Sequence, residues 1–315
     1  MKTSVVIEEY LAYKKALGRV FKTDTYRLHA FLRHVGDATM DSITVEEVQA
    51  FLEGTLRVVS PVWFGKFSAL SGLFKYAASR GYLNRALLPA VLPRKPSPYN
   101  AFLYSVEQVR CLLGVPDAAY HPNSHIEPCT MRTLLVLLYG TGLRPGEALR
   151  LLRTEVDFEQ SLLTVRRSKF FKSRLVPFGP DIRRVLADYD NGQAARHALA
   201  PEAPFFCTRH RKALRIDSVD NLFQWLRAEA GVLRFDGSQQ CQPRLYDFRH
   251  TFAVTRVVTW YRDGKDVQRL LPHLATYLGH VNIDDTAHYL TITNELMKEA
   301  SSCFERYALR EAARA

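Results

Sequence analysis

Thr141-Gly142-Leu143-Arg144-Pro145-Gly146-Glu147 reads as the junction of two helices. Just upstream, Thr133 to Tyr139 is an apolar run that predicts a buried helix. Gly140 and Gly142 let the backbone turn and come close to a partner, and Pro145 suits the first turn of a new helix. Arg144 therefore sits at a helix start, where free amides and the helix dipole already favour an anion. Taken alone, an arginine in such a place is most often one half of a surface ion pair.

Further along the chain, Ser105 and Gln108 form a capping box ahead of Val109, Leu112 and Leu113, and Asp117 to Pro128 is a polar loop. Two alternating runs, Leu162 to Arg167 and Ser173 to Phe178, flank Ser168-Lys169-Phe170-Phe171-Lys172 and predict a β-hairpin with lysines at its tip. Helical patterning covers 181–191, 216–231, 247–263, 265–277 and 292–311. On the other side, the first ninety or so residues pattern as helices only. Ile7, Tyr10, Leu11 and Leu17 mark the first, and Tyr26, Phe31 and Leu32 mark a second over 23–35. Thr44 and Glu47 cap a third before Val48, Phe51 and Leu52, and a fourth follows Ser60-Pro61 with Trp63, Phe67, Leu70, Leu73 and Phe74, ending near Gly81. Leu92-Pro93-Arg94-Lys95-Pro96-Ser97-Pro98 cannot continue a helix. The expected organisation is a helical domain over 1–91, a basic linker over 92–103 and a second domain over 104–315. The expected fold class is mainly α with a small antiparallel sheet.

The chain has 315 residues and a net charge of +11, with 31 Arg against 12 Lys. An arginine fork pairs bidentately with phosphate, so this bias fits a polyanion partner. Apolar content of 47% and charged content of 24% exclude a globally disordered chain. No apolar run is long enough to span a bilayer, and the N-terminal stretch has no signal-peptide core, so the expected location is the cytoplasm with no membrane partner. The cysteines at 111, 129, 207, 241 and 303 form no CxxC pair, against a disulfide framework or a structural zinc. There is no Walker loop, GxGxxG, HExxH or GxSxG, and the one tight acidic pair of the second half away from helix surfaces, Asp284-Asp285, reads as a helix start. The expectation is a protein without metal or cofactor.

Several phosphate-type residues remain: Arg144 at the helix start, Lys169 on the hairpin tip, Arg249 within Arg244-Leu245-Tyr246-Asp247-Phe248-Arg249-His250, His280 after Leu278-Gly279, and Tyr289 nine residues further on. Singly, each has an ordinary explanation: a tip lysine is solvated, and a helical tyrosine packs in a core or on a surface. Together, in this order and at these separations, they resemble the boxes of the tyrosine site-specific recombinases, the phage integrase family. Thr141 to Glu147 matches the TGLRxxE-type box, Ser168 to Pro177 the hairpin pattern GKGxKxRxVP, Tyr246 to His250 the HxxRH box, and Leu278 to His280 the LGH segment. The likeness covers essentially the whole chain.

The resemblance implies a helical core-binding domain followed by an α+β catalytic domain, the two clamping double-stranded DNA. It implies that Tyr289 attacks a phosphodiester to give a 3′-phosphotyrosine, that Arg144, Arg249, His280 and Tyr246 meet the phosphate charge, and that Lys169 protonates the leaving oxygen. Lys172 is the competitor for that last role. Glu147 orients Arg144 or the helix start. Lys66 and Lys75 in the first domain, and Lys172, Arg209, Arg211 and Arg244 in the second, are the candidate DNA contacts. The family works on specific recombination sites as a tetramer, here a homotetramer or a mixed assembly, usually for a mobile element. An amphipathic helix with Leu296, Ala300, Phe304 and Tyr307 could dock on a neighbouring protomer or on its own domain. One position departs from the pattern: Tyr246 stands where the family usually has His. A phenol donates one hydrogen bond but is neutral near pH 7. His250 is adjacent to Arg249, and at about 100° per residue it is expected to point elsewhere. Three other readings stay open. A DNA-binding protein with reduced or lost catalysis is favoured by Tyr246 alone. A type IB topoisomerase-like activity is opposed by the first domain and the chain length. A general RNA- or nucleic-acid-binding module needs only the charge and leaves the four boxes unexplained.

Overall fold

In the computed structural model, Thr44 Oγ1 accepts from the Glu47 amide at 3.2 Å while Glu47 Oε2 accepts from the Thr44 amide at 2.8 Å, and this reciprocal pair starts α3 (Val45–Glu53). Ser105 and Gln108 do the same at 3.2 and 2.9 Å ahead of α5 (Val106–Gly114). Both caps are local chemistry, complete within four residues. The structure describes residues 1–18, 21–54, 59–94, 101–120, 124–166, 173–196, 200–235, 242–280 and 286.

The chain divides into two compact units, Met1–Pro98 and Tyr99–Ala315. The first holds α1 (Thr3–Ala16), α2 (Lys22–Val35), α3 and α4 (Pro61–Ser79). Its core gathers Ile7, Leu28, Phe31, Leu52, Leu70 and Leu73, with the Phe31 ring edge-on to Phe51 and Phe74. Two of the residues that marked these helices face solvent: Leu17 is 56% exposed and Tyr26 70%. Leu17 lies one residue past the end of α1, where helical register no longer holds. Tyr26 lies five residues before Phe31, about 140° around the helix, so the buried face of α2 is Leu28 and Phe31.

The second unit is built around α6 (Pro128–Thr141), whose Leu134, Leu135, Leu137 and Leu138 are all fully buried. So wide a buried face needs cover from more than one element, and α8 (Pro180–Arg196) and α10 (Asp247–Arg262) pack directly on it. The sheet is antiparallel in the order β1 (Val156–Asp157), β2 (Leu162–Val165), β3 (Arg174–Pro177), and Val165 pairs with Arg174 at the base of the hairpin. β1 has no counterpart in the sequence reading, because two residues carry no periodicity. The hairpin tip, 167–172, and the helix expected over 292–311 lie outside the described residues. The unit's remaining helices are the short α7 (Pro145–Ala148), α9 (Ile216–Glu229) and α11 (Val267–Leu278). Among the described residues, no helix is long and apolar enough to cross a membrane.

Gly142 ends α6 in the left-handed region, φ +62°, and turns the chain into Leu143-Arg144. A Cβ there would stand 2.5 Å from Cδ1 of Phe252 on α10. Backbone preference alone sets a cost of about 1–2 kcal/mol for any side chain in this conformation, and the overlap adds to it. Gly142→Ala should therefore lower the urea unfolding midpoint clearly; an unchanged midpoint would show that the turn is not held as described.

Candidate active site

Glu147 is buried on α7, where an unpaired carboxylate would be strongly unfavourable. Two arginines meet it. The Arg144 amide donates to Oε2 at 3.1 Å and Arg144 Nη1 to Oε1 at 2.8 Å. From β3, Arg174 Nη1 donates to Oε1 at 3.1 Å and Nη2 to Oε2 at 2.8 Å. Burial pushes the carboxyl pKa up, but the hydrogen bonds and charge of Arg174, then of Arg144, outweigh it and hold the group at about 2. A carboxylate so fully engaged orients its partners and does not act as a base near neutral pH.

The end of α11 is the second fixed point. The last carbonyls of a helix have no partner within the helix and carry its negative dipole end. Three successive ones are taken by three arginines from three different elements: Tyr277 O accepts from Arg174 Nε at 2.9 Å, Leu278 O from Arg249 Nη2 at 2.6 Å, and Gly279 O from Arg144 Nη2 at 3.3 Å. Arg249, the largest fully buried side chain among the described residues, also donates through Nη1 to Gly142 O at 2.9 Å. The two turns flanking the site are thereby tied together.

Tyr246 precedes α10 and is 38% exposed. Tyr246 and Arg144 line the same cleft. Burial draws the Arg144 pKa down, but Glu147 and then Tyr246 outweigh it and the net shift is upward, so Arg144 stays a cation. His250 lies beside this group: its ring centroid is 5.4 Å from that of Tyr246. A spacing of four residues puts both on one helical face, whereas the 100° argument concerned only its neighbour Arg249. His280 follows Gly279, is half-buried, and shares a hydrogen between Nδ1 and Thr286 Oγ1 at 2.7 Å. Tyr277, the described phenol closest in sequence to His280, is held back: burial pushes it up to about 12, and its hydroxyl donates to Pro177 O at 3.4 Å. Beside Arg144 and Tyr246 opens a cleft of about 750 Å³, also lined by Arg150, Arg227 and Arg244.

Arg144, Tyr246, Arg249 and His280 are thus brought to one place, while Lys169, Lys172 and Tyr289 lie outside the described residues. The other basic candidates are dispersed. Lys75 and Arg209 are exposed. Arg244 lines the cleft and donates to Asp247 Oδ1 at 3.2 Å. Lys66 turns inward, donating to Phe51 O at 2.5 Å with its ammonium 4.5 Å above the Phe51 ring, and burial lowers its pKa. Arg211 donates to Gln193 Oε1 at 2.8 Å. The charges of Lys66 and Arg211 are therefore already engaged within their own units. Arg174 was not among the candidates, although a signal existed. It shares a strand face with buried Val176, and an inward arginine requires an acid. Among the described residues, no group of three or more His, Cys, Asp or Glu is placed to hold a metal ion.

The phage integrase family model matches residues 106–295. A Sinorhizobium fredii protein named as an integrase/recombinase, y4rB, is 32% identical over 95% of this chain and 96% of its own. Among solved structures, a lambda integrase tetramer bound to a Holliday junction aligns with a TM-score of 0.66 at 19% identity, over 90% of this chain and 78% of that one. The Tn1549 transposon integrase in complex with a circular intermediate DNA aligns at 0.67 and 14% identity, over 96% and 99%.

The Glu147 pKa carries a stability prediction. A carboxyl near 4.5 in the unfolded chain and about 2 in the folded one stabilises the fold fully above pH 4.5, and that contribution is lost as pH falls toward 2. The shift corresponds to about 3 kcal/mol. Glu147→Gln should lack this term, so the gap in unfolding free energy between wild type and variant should shrink as pH drops from 5 to about 2. A gap that does not change with pH would mean Glu147 is not held ionised.

Proposed function

The chain belongs to the phage integrase family, and we propose that within it the protein is a site-specific DNA strand transferase serving the mobile element that encodes it. Tyr289 Oη gives up its proton to solvent as it attacks a phosphodiester in line, forming a 3′-phosphotyrosine as the bond to the 5′ oxygen breaks. That oxygen takes a proton from Lys169 and departs as a 5′-hydroxyl. A 5′-hydroxyl of a second strand then attacks the phosphotyrosine, restoring the DNA and freeing the phenol. The phosphodiester energy is retained, so no nucleotide cofactor is required, and arginines in place of a metal meet the phosphate charge.

The observation that most supports this reading is the meeting of Arg144, Tyr246, Arg249 and His280 around the end of α11. Charge developing on the non-bridging oxygens needs donors already in place, and removing one such donor typically costs about 10²–10³ in rate. Arg144 and Tyr246 line the cleft and would meet the phosphate directly, and His280 would donate to it from the end of α11. Arg249 contributes its charge from beneath Gly142 and Leu278, in surroundings where charge is weakly screened. Tyr246 lines the cleft beside Arg144, where its hydroxyl would donate to a phosphate oxygen in place of the usual imidazole. The lambda integrase tetramer on a Holliday junction supports a tetrameric assembly on two DNA sites for this chain too, and the transposon integrase supports a mobile-element role. The rival reading, DNA binding without chemistry, rests on Tyr246 and is decided by the same experiment.

With EDTA present throughout, the wild-type protein should form a covalent adduct on a nicked duplex carrying its site, and Tyr289→Phe should bind that duplex but form none. An adduct in the Phe variant would move the nucleophile elsewhere. No adduct from the wild type on DNA that it binds would favour the non-catalytic reading.

The general acid is tested on its leaving group. Lys169→Ala should cleave ordinary DNA very slowly and recover strongly on a substrate whose 5′ bridging oxygen is sulfur, because a thiolate leaves without a proton. Lys172→Ala should show a modest defect with no such recovery. Recovery at 172 and none at 169 would transfer the acid role to Lys172.

A further inference from the structure

Resting on the strand-transfer reading, we propose that Arg174 is a positioning residue, which sets Arg144 through Glu147 and holds the end of α11 that carries His280. The side chain is only 11% exposed, and a guanidinium is buried at substantial cost unless its donors are matched. Here three are matched on two elements: Nη1 and Nη2 form a fork on Glu147, and Nε reaches Tyr277 O. Glu147 passes the constraint on, because its remaining bonds go to the amide and Nη1 of Arg144. Arg144 Nη2 then returns to Gly279 O, two residues after Tyr277. The result is a closed ring, Arg174 to Glu147 to Arg144 to the α11 end and back, in which no member can move alone.

Two further features belong to the same device. Gly279 has φ +69°, and a Cβ there would stand 2.9 Å from Arg174 Nη1, so the residue before His280 is shaped around this arginine. Arg174 also pairs with Val165 at the base of the lysine-bearing hairpin. One side chain thus joins the hairpin base, the Arg144 turn and the His280 turn. Lysine cannot replace it, since a single ammonium cannot fork a carboxylate and reach Tyr277 O at once. If Arg174 were only a stabilising ion pair, its loss would lower the melting temperature and leave the rate of the folded enzyme on saturating DNA unchanged.

The test uses full-length wild type, Arg174→Ala, Arg174→Lys, Glu147→Gln and the double variant Arg174→Ala/Glu147→Gln. The last leaves no unpaired carboxylate and so keeps a folded comparison. The probe is a nicked duplex selected from a randomised library on the wild-type protein. Single-turnover adduct formation at saturating DNA should fall about 10²-fold in Arg174→Ala, as expected for a misplaced catalytic group, with DNA affinity unchanged. Arg174→Lys should recover only part of the rate. The double variant should be no slower than Arg174→Ala, because both residues act through one unit. Crystal structures of the DNA-free variants should show the Arg144 guanidinium displaced. Wild-type rates in Arg174→Ala, losses that multiply in the double variant, or an unmoved Arg144 would each overturn the proposal. If the wild type forms no adduct on any duplex, the strand-transfer reading fails, and the position of Arg144 in the crystals still decides whether Arg174 positions it.

Discussion

Three carbonyls at the end of one helix organise the second unit. Tyr277 O, Leu278 O and Gly279 O each accept from a different arginine, and those arginines come from β3, α10 and the turn before α7. A helix C-terminus is a natural place to collect cations, since its carbonyls are unpaired and its dipole end is negative. It also solves a problem particular to phosphate chemistry. Guanidinium groups held close together repel, and without DNA they need something anionic to stand among. The helix end and Glu147 supply that from within the protein, so the guanidinium groups are already held in place.

The same constraint explains which small residues surround the site. Gly142 must turn left-handed at the end of α6 and lie against Phe252, and its carbonyl must face Arg249. Gly279 must turn the same way at the end of α11 and leave room for Arg174. Around these turns the structure is stiff by composition. The leucines of α6 are buried on every side, and α8 and α10 close over them. A chain of net charge +11 does not hold all its cations outward: Arg174 and Arg249 are inside, and Lys66 and Arg211 are engaged within their own units. The basic surface left for a polyanion is therefore smaller than the composition alone implies, and among the described residues arginines line the cleft beside Arg144.

Tyr246 shows how a departure from the family pattern is absorbed. A phenol cannot carry the charge an imidazolium would, but it can donate a hydrogen bond, and its neighbour Arg144 remains cationic. His250 lies on the same helical face, its ring close to that of Tyr246. The exchange replaces a group that can carry a positive charge by one that is neutral near pH 7.

Much of the architecture was legible in the chain itself. The Thr44 and Ser105 caps, the apolar run of α6, the two longer strands and the candidate residues of the four boxes all follow from residues a few positions apart. Leu17 and Tyr26 marked the limits of that reading, because a helix end and a turn of 140° are enough to move an apolar residue from core to solvent. What sequence could not display was direction and partnership. Lys66 and Lys75 look alike in sequence, yet one caps a helix end from inside and the other faces water. Arg174 finds Tyr277 O across 103 residues, and Arg144 finds Gly279 O across 135. The acceptors there are backbone carbonyls, identical in every residue, and only the packing of α6, α10, α11 and the hairpin decides which of them meets which arginine. Local interactions between neighbours along the chain determined the elements and the identity of the reactive side chains. Burial, which forces distant charges to find partners, determined how those side chains are held.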